Sequence, residues 1–191
     1  RKTDFDDILA YAADKGVVAV FAAGNSALDV IYSSPAGNPD VITVAASNYQ
    51  DRIASFSNYG VGVDLAAPGG DCASMGGVDD YVLSALAATH NAHFTPALGS
   101  YYTRARGTSM ACPHVAAAAG LILARHPDYS IDEVRFALRN SADPLTGAGD
   151  TPRTGFGRLN VEQALLLASP PPVARFEMPE SVPLYNQSAF S

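Results

Sequence analysis

Tryptophan is absent, and only two cysteines, Cys72 and Cys112, occur among 191 residues. Two thiols cannot hold a core-poor scaffold together, so a disulfide-framework protein is excluded and both read as small core fillers. Charge is sparse, at 16% of residues, and skewed: Asp and Glu number 19 against 12 Lys and Arg, a formal net charge of -7. No basic tract interrupts that balance. An acidic surface repels phosphate, which argues against nucleic acid and anionic membranes as partners. Long apolar runs are missing too. The longest, Val115 to Ala124, is well short of the roughly 20 residues needed to cross a bilayer, so no membrane span is expected. Nor does a secretory-type apolar core follow Arg1-Lys2-Thr3-Asp4.

What is present is a chain able to bury a core. Apolar residues make up 48%, and the length suits one domain of ordinary size. Phe5, Ile8, Leu9 and Ala12 recur at helical spacing, with Asp6 and Asp7 in the first turn and Gly16 as the stop. Val17 to Phe21 and Val41 to Ala46 are continuous apolar runs, as expected of parallel strands buried on both faces. Asp64 to Gly70 reads as a short strand running into a turn, and Tyr81 to Leu86 as another strand. Gly69 to Gly77 and His90 to Gly99 read as loops.

Ser109 to Arg125 has almost no polar face, which predicts a buried central helix with Pro113 in its first turn. Ser130 with Glu133 forms a capping box before an amphipathic helix, and Asn160 to Ala168 reads as a last short helix. Composition then changes. Pro170-Pro171-Pro172 makes a stiff linker, so residues 1–168 form one unit. Residues 169–191 are either the opening of a β-type domain or a disordered tail.

Chemistry concentrates in Gly107-Thr108-Ser109-Met110-Ala111-Cys112-Pro113-His114. A serine at a helix N-terminus sits among unpaired N–H groups and a partial positive charge, both suited to an alkoxide or oxyanion. Gly107 and Ala111 are small enough to admit a substrate backbone. A plain Ser N-cap is the ordinary reading of such a residue, but the whole string resembles the nucleophile motif of the subtilisin-like serine proteases. Further segments resemble that family in the same order: Phe21-Ala22-Ala23-Gly24-Asn25-Ser26, Val41 to Ala46, Ala54-Ser55-Phe56-Ser57-Asn58-Tyr59-Gly60, Ala66-Ala67-Pro68-Gly69, and Gly155-Phe156-Gly157-Arg158-Leu159-Asn160-Val161.

The resemblance implies an α/β fold, a partial parallel sheet flanked by helices, with the buried central helix starting at Ser109. It implies serine endopeptidase chemistry through an acyl-enzyme at Ser109, without a cofactor in the chemical step. Asn25 would donate its side-chain amide to the oxyanion, beside the Ser109 N–H; Asn25 also reads as a left-handed turn residue after Gly24, and the two readings can hold together. Ala22, Ala23 and Gly24 would wall the pocket for the residue before the cleaved bond, Ser33 and Ser34 would lie near its floor, and Gly107 and Thr108 would border the substrate. Peptide or protein substrates and a secreted or cell-surface setting are implied. Calcium sites are usual in the family, yet no segment here has a recognisable ligand spacing. Asp71, Asp79 and Asp80 read as a solvated acidic loop.

The family's triad runs Asp, His, Ser, and only the Ser motif is present. His90 and His93 stand in a loop, His114 reads as a packing or polar core residue on the nucleophile helix, and His126 suits a helix C-terminus. Asp29, Asp64 and Asp71 have no paired histidine. The missing Asp and His belong upstream of Phe5, so this chain is expected to be inactive alone and to need an upstream half as partner. Without that half, the Val17 to Phe21 strand is expected to present an open edge. Asn25 and Ser109 are also 84 residues apart, more than in compact members, the excess lying between Gly70 and Arg106 as a surface insertion. Two other classes compete: a degenerate protease-like domain that only binds protein or peptide, and an α/β-hydrolase-type esterase. The second requires a His after the last acid of its triad, which this order of residues does not supply.

Overall fold

The computed structural model describes residues 4–71, 80–87, 101–145 and 154–167. Their order is α1 (Asp4–Asp14), β1 (Val20–Ala22), a 3-10 turn (Val30–Tyr32), β2 (Ile42–Ser47), β3 (Leu65–Pro68), β4 (Val82–Ala85), β5 (Tyr102–Ala105), α2 (Thr108–Arg125), α3 (Ile131–Asn140) and α4 (Val161–Leu166). Cys72, His90, His93, Asp79 and the segment 169–191 lie outside the described residues.

β1, β2 and β3 form a parallel sheet in that order, with Val20 opposite Ile42 and Val44 opposite Leu65. All six residues of β2 are buried, which explains its mostly apolar sequence, with Thr43 and Ser47 as buried polar residues. Successive side chains alternate between faces. Val44 and Ala46 join Leu65, Ala67 and α2 residues Ala111, Val115, Ala118 and Ile122 in one core, extended by Val134 and Leu138 of α3. Ala45 and Ala66 face the other way, against Ala23, Val30 and Val63. Each fully buried Val or Leu contributes about 1.5–3 kcal/mol relative to exposure. The C-terminal motif closes the sheet from the side: Ala66 N–H donates to Gly157 O at 2.8 Å, and Leu159 N–H to Ala66 O at 2.8 Å.

Several expectations from sequence change here. β1 begins at Val20 rather than Val17, and its residues are only half-buried because it is an edge strand of the described sheet. Of the α1 stripe only Leu9 is buried; Ile8 is 62% exposed, and Phe5 meets Phe21 edge-on at 6.3 Å. β5 was not expected. It pairs antiparallel with β4, so a two-stranded antiparallel sheet accompanies the parallel one. α2 starts at Thr108 with Gly107 as N-cap, which makes Ser109 its second residue. Pro113 therefore lies in the second turn, inside the helix, and the Ser109 carbonyl lacks the N–H donor that any other residue there would supply. α2 is also not buried all round. Leu121 is 51% exposed, and Pro113, His114, Ala116, Ala117, Gly120 and Ala124 are exposed with it.

Candidate active site

The turn after β1 and the start of α2 meet through one side chain. Asn25 Oδ1 accepts from the Thr108 N–H at 2.9 Å and from the Thr108 hydroxyl at 3.0 Å. The same hydroxyl oxygen accepts from the Gly24 N–H at 3.2 Å. Thr108 is fully buried while Asn25 is exposed, so the bonds are part-buried, and together they set the Thr108 rotamer. With its oxygen so occupied, the Asn25 amide is oriented: Nδ2 carries its two protons away from Thr108 and has no acceptor among the described residues. Asn25 is exposed and has an ordinary negative φ. The left-handed reading is thereby corrected; Ala27, at φ 52°, takes that conformation instead.

The first N–H groups of α2 are unequally satisfied. Thr108 N–H goes to Asn25, and Met110 and Ala111 N–H go to Gly107 O at 2.9 and 3.3 Å. Ser109 N–H has no acceptor among the described residues. Gly107 leaves the space beside it open. A β-carbon at Gly107 would stand 3.6 Å from Asn25 Nδ2 and 3.8 Å from Ser109 N. Both free donors thus border one small volume that only glycine leaves empty, and the φ of 141° favours glycine as well.

Ser109 is exposed and lines a groove of about 340 Å³ with Met110, Pro113, His114 and Ala117 of α2 and Val82, Leu83 and Ser84 of β4. His114 is not a core residue as expected. It is exposed, and its Nδ1–H donates to the Met110 carbonyl at 2.8 Å, because the helix geometry brings i and i+4 together on the solvent side. His126 caps the C-terminus of α2 and stacks on Tyr129 at 4.4 Å. Cys112 donates to Val20 O at 3.5 Å, and burial pushes its thiol up, which suits filling rather than reactivity.

Ala22 ends β1; Ala23 is buried and donates to Val44 O at 2.9 Å. Ser33 is half-buried and its hydroxyl accepts from Asn58 Nδ2 at 3.0 Å, whereas the neighbouring Ser34 is exposed. In the sequence Asn58 is one residue of the Ala54 to Gly60 segment, and its role as a junction is not legible there, because its four side-chain partners are spread over residues 23–33. The acidic loop is corrected as well. Asp71 is buried and accepts from the Ser55 hydroxyl at 2.6 Å and from Asn48 Nδ2 at 3.2 Å, and Asp80 accepts from Tyr49 N–H at 2.9 Å. Asp64, also buried, accepts from Thr43 N–H at 2.7 Å and from Arg139 Nε at 2.8 Å, so it is a structural carboxylate. Among the described residues no group of three or more His, Cys, Asp or Glu is placed to hold a metal ion.

The parallel α/β layer thus places Ser109 near the start of its core helix, beside the Asn25 amide. Comparison with known proteins names the family. Residues 2–157 match the model of the subtilase family, peptidase S8, and the chain belongs to that family. It is 36% identical over 158 residues to fervidolysin of Fervidobacterium pennivorans, covering 81% of this chain and 22% of that protein. It is 37% identical over 153 residues to subtilisin BL of Lederbergia lenta, covering 80% of this chain and 48% of that protein. Among solved structures, a protease of Pseudoalteromonas arctica superposes with a TM-score of 0.72 at 30% identity, covering 87% of this chain and 47% of that one. The crystal structure of fervidolysin, described as keratinolytic, superposes at 0.69 and 31% identity, covering 88% and 25%. The chain spans less than half of each of these relatives.

Proposed function

We propose that this chain carries the nucleophile and oxyanion side of a serine endopeptidase centre. Ser109 Oγ attacks the scissile carbonyl of a peptide or protein substrate. Asn25 Nδ2 and Ser109 N–H receive the oxyanion in the space that Gly107 leaves open. Ala22, Ala23 and Gly24 wall the pocket for the residue before the cleaved bond, Ser33 forms its floor, and Thr108 and Gly107 border the substrate. The observation that carries this reading is the Asn25–Thr108 pair, which spends the amide oxygen and leaves the amide protons for substrate.

The general base comes from outside the chain. Ser109 Oγ has no hydrogen bond among the described residues, and His114 is turned to its own helix. An upstream segment bearing Asp and His would supply the base and its orienting carboxylate. It would dock where the described fold is unfinished, at the open edge of β1 and the exposed apolar face of α2. The chain is then inactive alone, without need of a cofactor for the chemical step, and belongs to a secreted or cell-surface enzyme. Structural calcium is compatible with this reading, without an assigned site.

Kinetics of Asn25→Ala in the complete peptidase domain, this chain joined to that upstream segment, test the assignment. A fall in kcat of about a hundred- to a thousandfold with little change in KM is expected; that magnitude is the one known for subtilisin's own asparagine donor. Unchanged kcat would refute the oxyanion role.

A further inference from the structure

We propose that Asn58 is a positioning residue of this centre: it clamps the backbone on both sides of Asn25 and links that turn to the pocket floor at Ser33. The inference rests on Asn25 acting as an oxyanion donor and on Ser33 as the pocket floor, both as proposed above.

Asn25 is exposed, and its backbone makes no hydrogen bond of its own among the described residues. Its position is therefore set by its neighbours, and Asn58 holds them. The Asn58 N–H donates to Gly24 O at 2.9 Å. Its Oδ1 accepts from Ser26 N–H at 3.0 Å and from Leu28 N–H at 3.1 Å. Its Nδ2 donates to Ala23 O at 2.8 Å and to Ser33 Oγ at 3.0 Å. Both amide protons and both oxygen lone pairs are used, which is the full capacity of an amide side chain. Asn58 is only 3% exposed, which limits competition from water at its own end of these bonds; the one to Ala23 O is buried and the other three side-chain bonds are part-buried. Contact is close as well: a β-carbon at Gly24 would come within 2.5 Å of Asn58 Nδ2.

The consequence is a division of labour. Thr108 fixes the direction of the Asn25 side chain, and Asn58 fixes where its backbone stands. Oxyanion stabilisation falls steeply with misplacement of the donor, so loosening the clamp lowers kcat. Because Nδ2 also reaches Ser33, pressure from a substrate side chain on the floor passes to the Asn25 turn through one rigid amide. Floor contacts therefore register in kcat and not only in KM.

The test is a double-mutant cycle in the complete peptidase domain, reading kcat, KM and thermal unfolding together. Asn58→Ala is expected to lower kcat about tenfold when Asn25 is present and less than about twofold in an Asn25→Ala background. Ser33→Ala removes one of the four side-chain bonds and is expected to lower kcat about threefold, again only when Asn25 is present. If Asn58→Ala fails to fold, the Ser33→Ala cycle decides. Equal losses in both backgrounds would mean that Asn58 merely supports the fold, and would overturn the proposal. An Asn25→Ala variant with unchanged kcat would instead remove the reading on which the proposal rests.

Discussion

Asn25 Oδ1 takes two hydrogen bonds from Thr108, one from its N–H and one from its hydroxyl, across 83 residues of sequence. The pair joins the end of β1 to the start of α2 at the point where Ser109 emerges. It fixes which way the Asn25 amide faces, as the proposed oxyanion role requires. Thr108→Val keeps the shape and the N–H but removes the hydroxyl, leaving the Gly24 N–H without its acceptor. We expect a loss of about 1 kcal/mol in urea denaturation and a drop in kcat of about tenfold, with Thr108→Ser near wild type. Equal kcat in Val and wild type would show that the hydroxyl does not orient Asn25.

Gly107→Ala places a methyl group between the two free donors, 3.6 Å from Asn25 Nδ2. It also forces a side chain onto a φ of 141°. Stability should fall by about 1–3 kcal/mol, while kcat/KM should fall by about a hundredfold or more because the oxyanion volume is filled. Thermal melts and kinetics on the same sample separate the two effects.

Asp64 has the burial of a catalytic acid and the partners of a structural one. Its side chain is 4% exposed and faces both Arg139 and Arg135. Asp64→Ala strands the Thr43 N–H, leaves the Arg139 guanidinium without its carboxylate and leaves Arg135 only Asp132 at 3.9 Å. We expect about 3–5 kcal/mol of destabilisation and no change in the pH profile of turnover for whatever fraction folds. A shifted pH profile at unchanged stability would give Asp64 a chemical role.

Acid sensitivity should appear at the closing motif. Hydrogen bonds from Asn160 and then Arg158 hold the Asp143 carboxyl below its usual range. A depressed folded pKa contributes stability that is present above the unfolded carboxylate pKa and is lost as pH falls through the folded value. Asp143→Asn should therefore lower the melting temperature at neutral pH and flatten its decline below about pH 4. Because this carboxylate is 41% exposed, solvent screening keeps the effect small. A variant whose melting temperature keeps the wild-type acid slope would contradict the assignment.

The parallel strands were legible because an apolar run such as Ile42–Ala46 has few other uses. The capping box at Ser130 was legible because its chemistry is local, and both of its bonds form. Features set by tertiary contact were not. The start of α2 falls at Thr108 because a distant Asn25 accepts its N–H. β5 exists because β4 is there to pair with it. Asp71 looked like a solvated loop residue until Ser55 and Asn48 closed over it. Two separate segments marked Ser109 and Asn25, but the hydrogen bonds from Thr108 to Asn25 and between Asn58 and the residues around Asn25 are visible only in the fold.

The exposed apolar residues have a physical consequence. Among the described residues, Leu121 on α2 is exposed and β1 is an edge strand, which puts apolar surface and an open strand edge in water. The chain expressed alone should associate or precipitate, and adding the upstream segment should restore a soluble species in sedimentation experiments. A cooperative, monomeric melt of the chain by itself would argue that no partner is needed.

The central claim is that Ser109 is a nucleophile whose base lies outside this chain. Treatment with a fluorophosphonate, followed by intact mass and peptide mapping, tests it most directly. The account predicts no adduct on the chain alone, and a single adduct at Ser109 once the segment bearing Asp and His is joined to it. An adduct at Ser109 in the isolated chain, or none in the joined protein, would contradict it.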